Sequence, residues 1–394
     1  MPRTVTLELV DGAGRPLGAL APFEVESPWW LDTGPAVRRA DELFQVDVRV
    51  LHLLDGEAGR NTVGGRVRYL AELLSGATPR DAAGQPEPDD PHRPQWARPG
   101  GTAQIIRWTD SVLETLNRPR IGPVQQIRAW NLSSILRIDT AAGPVWCKSV
   151  PPFFAHEGAV IEWLPAIAPP DLPPRLLGRN GGNILLDDIP GEDLYDCPEP
   201  VAVTMIERIV DLHCGSIGRV DDLLALRLPD WRGSALGASV RRLRTTVGLT
   251  PGEVAALDEL VDGLPERFAA LSACGMPDTL VHGDPHPGNW RSDGRSLVLL
   301  DWGDCGVGHP LLDVAPFVEQ VEDDARRGRL VDAFVASWRR RLPDSDPAAA
   351  LRLVQPISAL RQALVYQTFL DGIEVAEQVH HRNDVPDRIR RAIG

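Results

Sequence analysis

The chain has 394 residues, 43% of them hydrophobic and 24% charged, with a formal net charge of −14. That length allows two or three domains with large buried cores, and without an apolar run of about 18 residues no membrane span is expected. The acidic balance disfavours nonspecific association with nucleic acid or anionic membrane, both polyanions, and is compatible with a cationic substrate.

The opening MPRTVTLELVDG is interrupted by charge and has no apolar leader core, so a cytoplasmic location is expected. TVTLELV and LGALAPFEVE flank the turn-rich DGAGRP as a hairpin does, GPAVRRADELF reads as a short helix, and VDVRVLHLL with GGRVRYLAELL reads as a second hairpin. Residues 1–76 thus predict a small α+β module, a packing or lid element without a phosphate loop or metal cluster. Residues 77–101, rich in Pro, Gly and Asp, predict a linker or long exposed loop. TAQIIRWTDSVLETL fits an amphipathic helix, and from Val124 to Val150 the pattern turns to strands: VQQIRAW, SILRIDT, a turn at AAGP, and VWCKSV. From Glu199 onward helices dominate, among them VAVTMIERIVDLHC and VDAFVASWRRRL, interrupted by a strand-turn-strand island near residues 281–301. The five cysteines are scattered and lack CxxC spacing, which predicts buried free thiols rather than disulfides or a zinc site.

The island, LVHGDPHPGNWRSDGRSLVLLDWGD, carries the chemistry. A hairpin turning at SDGR brings Asn289 and Asp301 to the same end of adjacent strands, an oxygen pair suited to Mg²⁺ completed by phosphates. Asp284, just outside the pair, is placed to accept a hydroxyl proton. His282 and His286 flank a Gly-Asp turn with no fourth ligand nearby, so His282 is expected to hold the loop through backbone hydrogen bonds.

HGDPHPGN followed by LLDWGD resembles the catalytic core of the aminoglycoside phosphotransferase and choline kinase superfamily, over about residues 121–380. The resemblance implies an α+β, two-lobed protein-kinase-like fold, with a β-rich N-lobe at 102–190 and a helical C-lobe at 191–394. The small α+β N-terminal domain precedes it and is similar to the cap of some sugar kinases of this superfamily. Lys148, the single lysine among 41 basic residues, falls where such kinases place the lysine that reaches the α- and β-phosphates of ATP. Its implied partner is Glu157, with Glu162 as runner-up. Ser133 and Ser134 in AWNLSSIL stand where a phosphate-covering loop is implied, and backbone groups near Asp188 and Ile189 would meet the nucleobase. No side chain there decides ATP against GTP. Trp146 reads equally as a roof for the adenine or as a core residue. Asp313 matches a family aspartate that braces the catalytic loop, and Asp304 stays open between a turn residue and a support of the metal.

The implied function is ATP- and Mg²⁺-dependent transfer of a γ-phosphoryl group to a hydroxyl of a small molecule: an aminoglycoside-type antibiotic, a sugar or an amino sugar. Protein acceptors are disfavoured because no long activation segment follows Asp301-Trp302-Gly303. Asp371, Glu374 and Glu377, spaced by three, are candidate carboxylates for a cationic acceptor on one helix. The competing class is a catalytically idle nucleotide-binding or regulatory protein on the same fold. Oligomeric state is not legible.

Overall fold

In RTVTLELV alternate side chains turn inward, and these residues form strand β1 (Arg3–Val10), with Val5, Leu7 and Leu9 sealed on one face. The computed structural model describes residues 2–57, 63–78, 88–246, 248–381 and 383–394. Of the expected linker, residues 79–87 lie outside the described residues. The chain divides into two compact units, one formed by residues 1–155, 176–188 and 369–382, the other by 156–175, 189–368 and 383–394.

Among the described residues the first unit holds two sheets. In one, β2 (Pro16–Ala19), β1, β5 (Gly65–Ser75) and β4 (Asp47–Glu57) lie in that order, and β3 (Phe23–Val25) also pairs with β1. The two expected hairpins are β1–β2 and β4–β5, both antiparallel, whereas β1 and β5 run parallel. Asp11 closes the first turn by accepting the N–H groups of Ala13 and Arg15, both at 2.9 Å. Helix α1 (Gly34–Phe44) buries Ala36 and Ala40 in the core of this sheet beside Val48, Val50 and Val67.

The second sheet is antiparallel: β6 (Gln125–Ala129), β7 (Ser134–Thr140), β8 (Gly143–Ser149), β10 (Asn183–Asp187) and β9 (Leu176–Asn180), in that spatial order. Helix α2 (Gly101–Thr115) covers it, packing Ile105 and Leu113 with Leu136, Ile138, Val145 and Cys147. The Gln126 amide joins the two sheets as a strand would, accepting the Val50 N–H at 2.9 Å and donating to the Val50 carbonyl at 2.8 Å. Residues 1–76 and the sheet of 125–187 therefore share one unit. Residues 369–382 complete it: Glu374 forms a buried ion pair with Arg93 at 2.6 Å, and Glu377 accepts the Leu53 N–H at 2.8 Å.

The second unit is mainly helical. It contains α3 (Glu157–Trp163), α4 (Glu199–Gly215), α5 (Val220–Ala225), α6 (Gly233–Val240), α7 (Pro251–Asp262), α8 (Leu264–Ala273), α9 (Val314–Val318), α10 (Asp324–Arg341), most of α11 (Pro347–Gly372), and α12 (Asp384–Ile393). Its β structure is β11 (Glu192–Asp193) beside the hairpin β13 (Trp290–Ser292) and β14 (Leu297–Leu299), and the pair β12 (Thr279–Val281) with β15 (Gly306–Gly308). Met205, Ile206, Phe334, Trp338 and Leu360 fill its interior. Thr250 and Glu253 form a capping box that starts α7. The five cysteines are free, and burial pushes the Cys147 thiol up to about 11. Among the described residues no helix is long and apolar enough to cross a membrane.

Candidate active site

The loop after β12 is shaped from beneath by one carboxylate. Asp313, fully buried, accepts the N–H of His282 at 2.9 Å and of Gly283 at 2.7 Å, while His213 on α4 donates from Nε2 at 2.9 Å. Burial works to raise its pKa, but the His213 bond, the nearby imidazoles and the Gly283 N–H overrule it, and the net direction is down. Gly283 has φ of +90°, and a Cβ there would stand 2.0 Å from the Asp304 carbonyl oxygen, so only glycine fits. Arg361 on α11 donates to the Gly283 carbonyl at 2.6 Å and lies over the Trp231 ring, 4.5 Å from its centroid.

His282 holds the loop through the backbone bonds expected of it. Its Nε2 donates to the Leu300 carbonyl at 3.0 Å, its Nδ1 accepts the Asp284 N–H at 3.3 Å, and its ring meets Trp302 edge-on. Burial lowers its pKa to about 4, and lowers that of His309 to about 3. Both rings are neutral in the fold and take up protons in the unfolded chain below about pH 6.5, so they withdraw stability as pH falls towards 4. Asp284, whose folded pKa is raised, opposes this trend. In an Asp284→Asn background the urea midpoint should therefore drop between pH 7 and 4.5, each histidine withdrawing on the order of 3 kcal/mol. A midpoint that rises over that window would contradict the assignment.

Asp284 is half-exposed, and burial together with the neighbouring Asp301 carboxylate pushes its pKa up to about 7. Asn289 donates from Nδ2 to the Asp284 carbonyl at 2.8 Å, which orients Oδ1 as the group left to bind a cation. The hairpin that was expected to bring residues 289 and 301 together forms: Trp290 pairs with Leu299, and the Leu300 N–H donates to the Asn289 carbonyl at 2.8 Å. Asp301, exposed, adopts a left-handed conformation with φ 63° and ψ 65°, uncommon without glycine and costing about 1–3 kcal/mol. Such strain persists where surrounding structure imposes it. Here Glu157, buried at the start of α3, accepts the Trp302 N–H at 3.2 Å, and His156 Nε2 bonds the Gly303 carbonyl at 2.9 Å. The pair Asn289 and Asp301 offers only hard oxygen donors, the set that suits Mg²⁺. His286 accepts the Gly288 N–H and stacks on Tyr195.

The remaining candidates fall in different places. Lys148 lies on β8 in the first unit, on the half-exposed face it shares with Trp146, opposite buried Val145, Cys147 and Ser149. The Trp146 indole donates to Asp188 at 2.7 Å, and the Ile189 carbonyl in the second unit accepts from Arg291 at 2.6 Å. Glu162 on α3 is exposed, unlike Glu157. Ser133 closes its turn, its Oγ accepting from the Trp130 indole at 3.0 Å. Ser134 is not at the turn but begins β7 and is buried. The expected acceptor helix is corrected: α11 stops at Gly372, where the Phe153 ring stands 2.8 Å from any added Cβ, and Asp371, Glu374 and Glu377 do not share a helix. Asp371 is exposed, while Glu374 and Glu377 are buried in the contacts of the first unit to Arg93 and the Leu53 N–H. His213 and Arg361 were missed, because each is one of several polar side chains in its helix and nothing in the sequence singles it out.

A β-rich sheet bearing Lys148 and a helical unit bearing a strained Asp301, Asn289 and Asp284 define the protein-kinase-like class. The model of the phosphotransferase enzyme family matches residues 124–351, more than half of the chain, and the chain belongs to that family. No curated protein matches the chain. Among solved structures it is similar to macrolide 2'-phosphotransferase MphH from Brachybacterium faecium, with 15% identity, 71% of this chain and 97% of that chain covered, and a TM-score of 0.51. Macrolide 2'-phosphotransferase type I gives 15% identity, 73% and 96% coverage and a TM-score of 0.50. A choline/ethanolamine kinase family protein from Mesorhizobium loti gives 17%, 73% and 93%, and 0.49. At these identities the likeness to the two macrolide phosphotransferases is one of fold.

Proposed function

We propose that this phosphotransferase moves the γ-phosphoryl group of ATP to a hydroxyl of a small molecule, a sugar, an amino sugar or an aminoglycoside-type antibiotic. The observation that carries the reading is the second unit's loop. Asp284 is held over the Asp313 brace with a pKa raised to about 7, beside an oxygen pair from Asn289 and Asp301. Bound at that pair, Mg²⁺ supplies positive charge for the phosphate oxygens. Asp284 orients the acceptor hydroxyl and takes its proton. Lys148 aligns the α- and β-phosphates, and Glu157 is its proposed partner. Backbone groups around Asp188 and Ile189 receive the nucleobase, and the Ile189 carbonyl is fixed by the Arg291 guanidinium. Ser133 and the turn before it face the phosphates. The net charge of −14 favours a cationic acceptor.

The test is nucleoside diphosphate release with ATP and Mg²⁺ across aminoglycosides, amino sugars, neutral sugars and choline. Turnover on one class supports the reading. Tight ATP binding without turnover on any of them would favour the idle nucleotide-binding alternative. Lys148→Arg keeps the charge but replaces a compact ammonium with a planar fork. It should lower kcat/KM on the order of a hundredfold with an unchanged melting temperature, whereas a near-normal rate would remove Lys148 from the site.

A further inference from the structure

Helix α3 starts without the usual side-chain cap. Its N-cap is His156, whose ring accepts no N–H of its own helix, the service that Ser, Thr, Asp or Asn gives at most helix starts. The ring turns outward instead, and its Nε2 lies 2.9 Å from the Gly303 carbonyl oxygen. A carbonyl only accepts, so Nε2 carries the proton and donates. The next residue, Glu157, takes the Trp302 N–H at 3.2 Å. Consecutive residues at one helix start thus grip consecutive residues of the turn that follows Asp301, where Trp302 and Gly303 are buried. Burial lowers the pKa of the His156 ring, which is therefore neutral at about pH 7 and brings no positive charge to a loop that binds a cation.

We propose that His156 is a positioning residue for the metal pair: through the Gly303 carbonyl it keeps Asp301 in the left-handed conformation that presents its carboxylate to the cation. The inference rests on the reading of Asn289 and Asp301 as metal ligands, and it gives each ligand its own holder. Asn289 is oriented from within the catalytic loop, by its bond to the Asp284 carbonyl at 2.8 Å. Asp301, with φ 63° and ψ 65°, keeps a conformation that a residue other than glycine holds only where its surroundings impose it. Its direction is therefore set by what grips the peptide groups after it. Partners that orient a ligand without touching the ion typically govern metal affinity by roughly 10–100-fold. Glu157 shares the grip but is also the proposed partner of Lys148, so changing it would mix two effects. Among the described residues the His156 ring makes the one hydrogen bond to Gly303, which isolates the contact.

His156→Ser tests it, because serine supplies the missing cap while its short side chain does not reach residue 303. The probe is Mn²⁺, which shares the oxygen-ligand preference of Mg²⁺ and is paramagnetic; its uptake by the whole chain saturated with ADP is read as loss of the free-ion resonance. The serine variant should bind Mn²⁺ about 10–100-fold more weakly than the unaltered chain, with its melting temperature and its affinity for ADP in EDTA unchanged. His156→Gln, whose Nε2 donates from nearly the same place, should restore most of the loss. Unchanged Mn²⁺ affinity in the serine variant, a glutamine variant as weak as serine, or an equal loss of metal-free ADP binding would each overturn the inference and leave the metal reading standing. No Mn²⁺ uptake by the unaltered chain would overturn the metal reading, and the inference with it. If the serine variant fails to fold, His156→Gln is set against His156→Met, similar in length but without a donor, and equal Mn²⁺ affinity in the two overturns the inference.

Discussion

Asp284→Asn is expected to lower kcat by about a thousandfold while leaving ATP–Mg²⁺ binding nearly intact, the signature of a lost proton acceptor. The substitution preserves the shape of the side chain and both backbone contacts of the residue, the N–H to His282 and the carbonyl to Asn289. What it removes is a carboxylate, raised in pKa by burial and by Asp301, that can take up the acceptor's proton. Rapid-mixing turnover measured beside calorimetric nucleotide affinity separates the two effects. Full activity in the variant would sink the assignment of Asp284, and lost nucleotide binding would point to a structural role.

Asp313→Ala should cost about 3–5 kcal/mol of stability, since three buried donors lose their acceptor at about 1–3 kcal/mol each. Removing this carboxylate strands the N–H groups of His282 and Gly283 and the His213 imidazole in a site with no exposure. Asn at the same position keeps one acceptor oxygen, so it should recover part of the loss. Urea unfolding followed by tryptophan fluorescence reads the effect through Trp302 and Trp338, both fully buried in the second unit. A shift below about 1 kcal/mol in the Ala variant would show that the loop does not depend on this brace.

The site was largely legible in HGDPHPGN and LLDWGD because a hairpin turn and short loops fix the neighbours of each residue locally. Helix α1 and strands β6 to β8 were legible through periodicity and turn chemistry for the same reason. What lay hidden depends on contacts distant in the chain. Arg361 and His213 are each one of several polar groups in their helices, and nothing in their own segments shows that they serve residues 283 and 313. Gln126 joins two sheets with a side chain, which leaves no periodic trace. The end of α11 was misread because one glycine is a weak stop signal, and the close Phe153 ring, which leaves no room for a Cβ at Gly372, lies far away in sequence.

The return of residues 369–382 to the first unit sets a timetable for biosynthesis. Leu53 and Glu377 are 324 residues apart in sequence, so at about 5–20 residues per second the Leu53 N–H waits roughly 16–65 s for its acceptor. Once Arg93 has been made, it waits in the same way for its buried partner Glu374. The sheet of the first 75 residues has its own local hairpins to hold it meanwhile, but the unit closes only after residues 369–382 have been made. Ribosome-bound chains ending before residue 369 should accordingly be captured by holdase chaperones, and chains extended past residue 382 released.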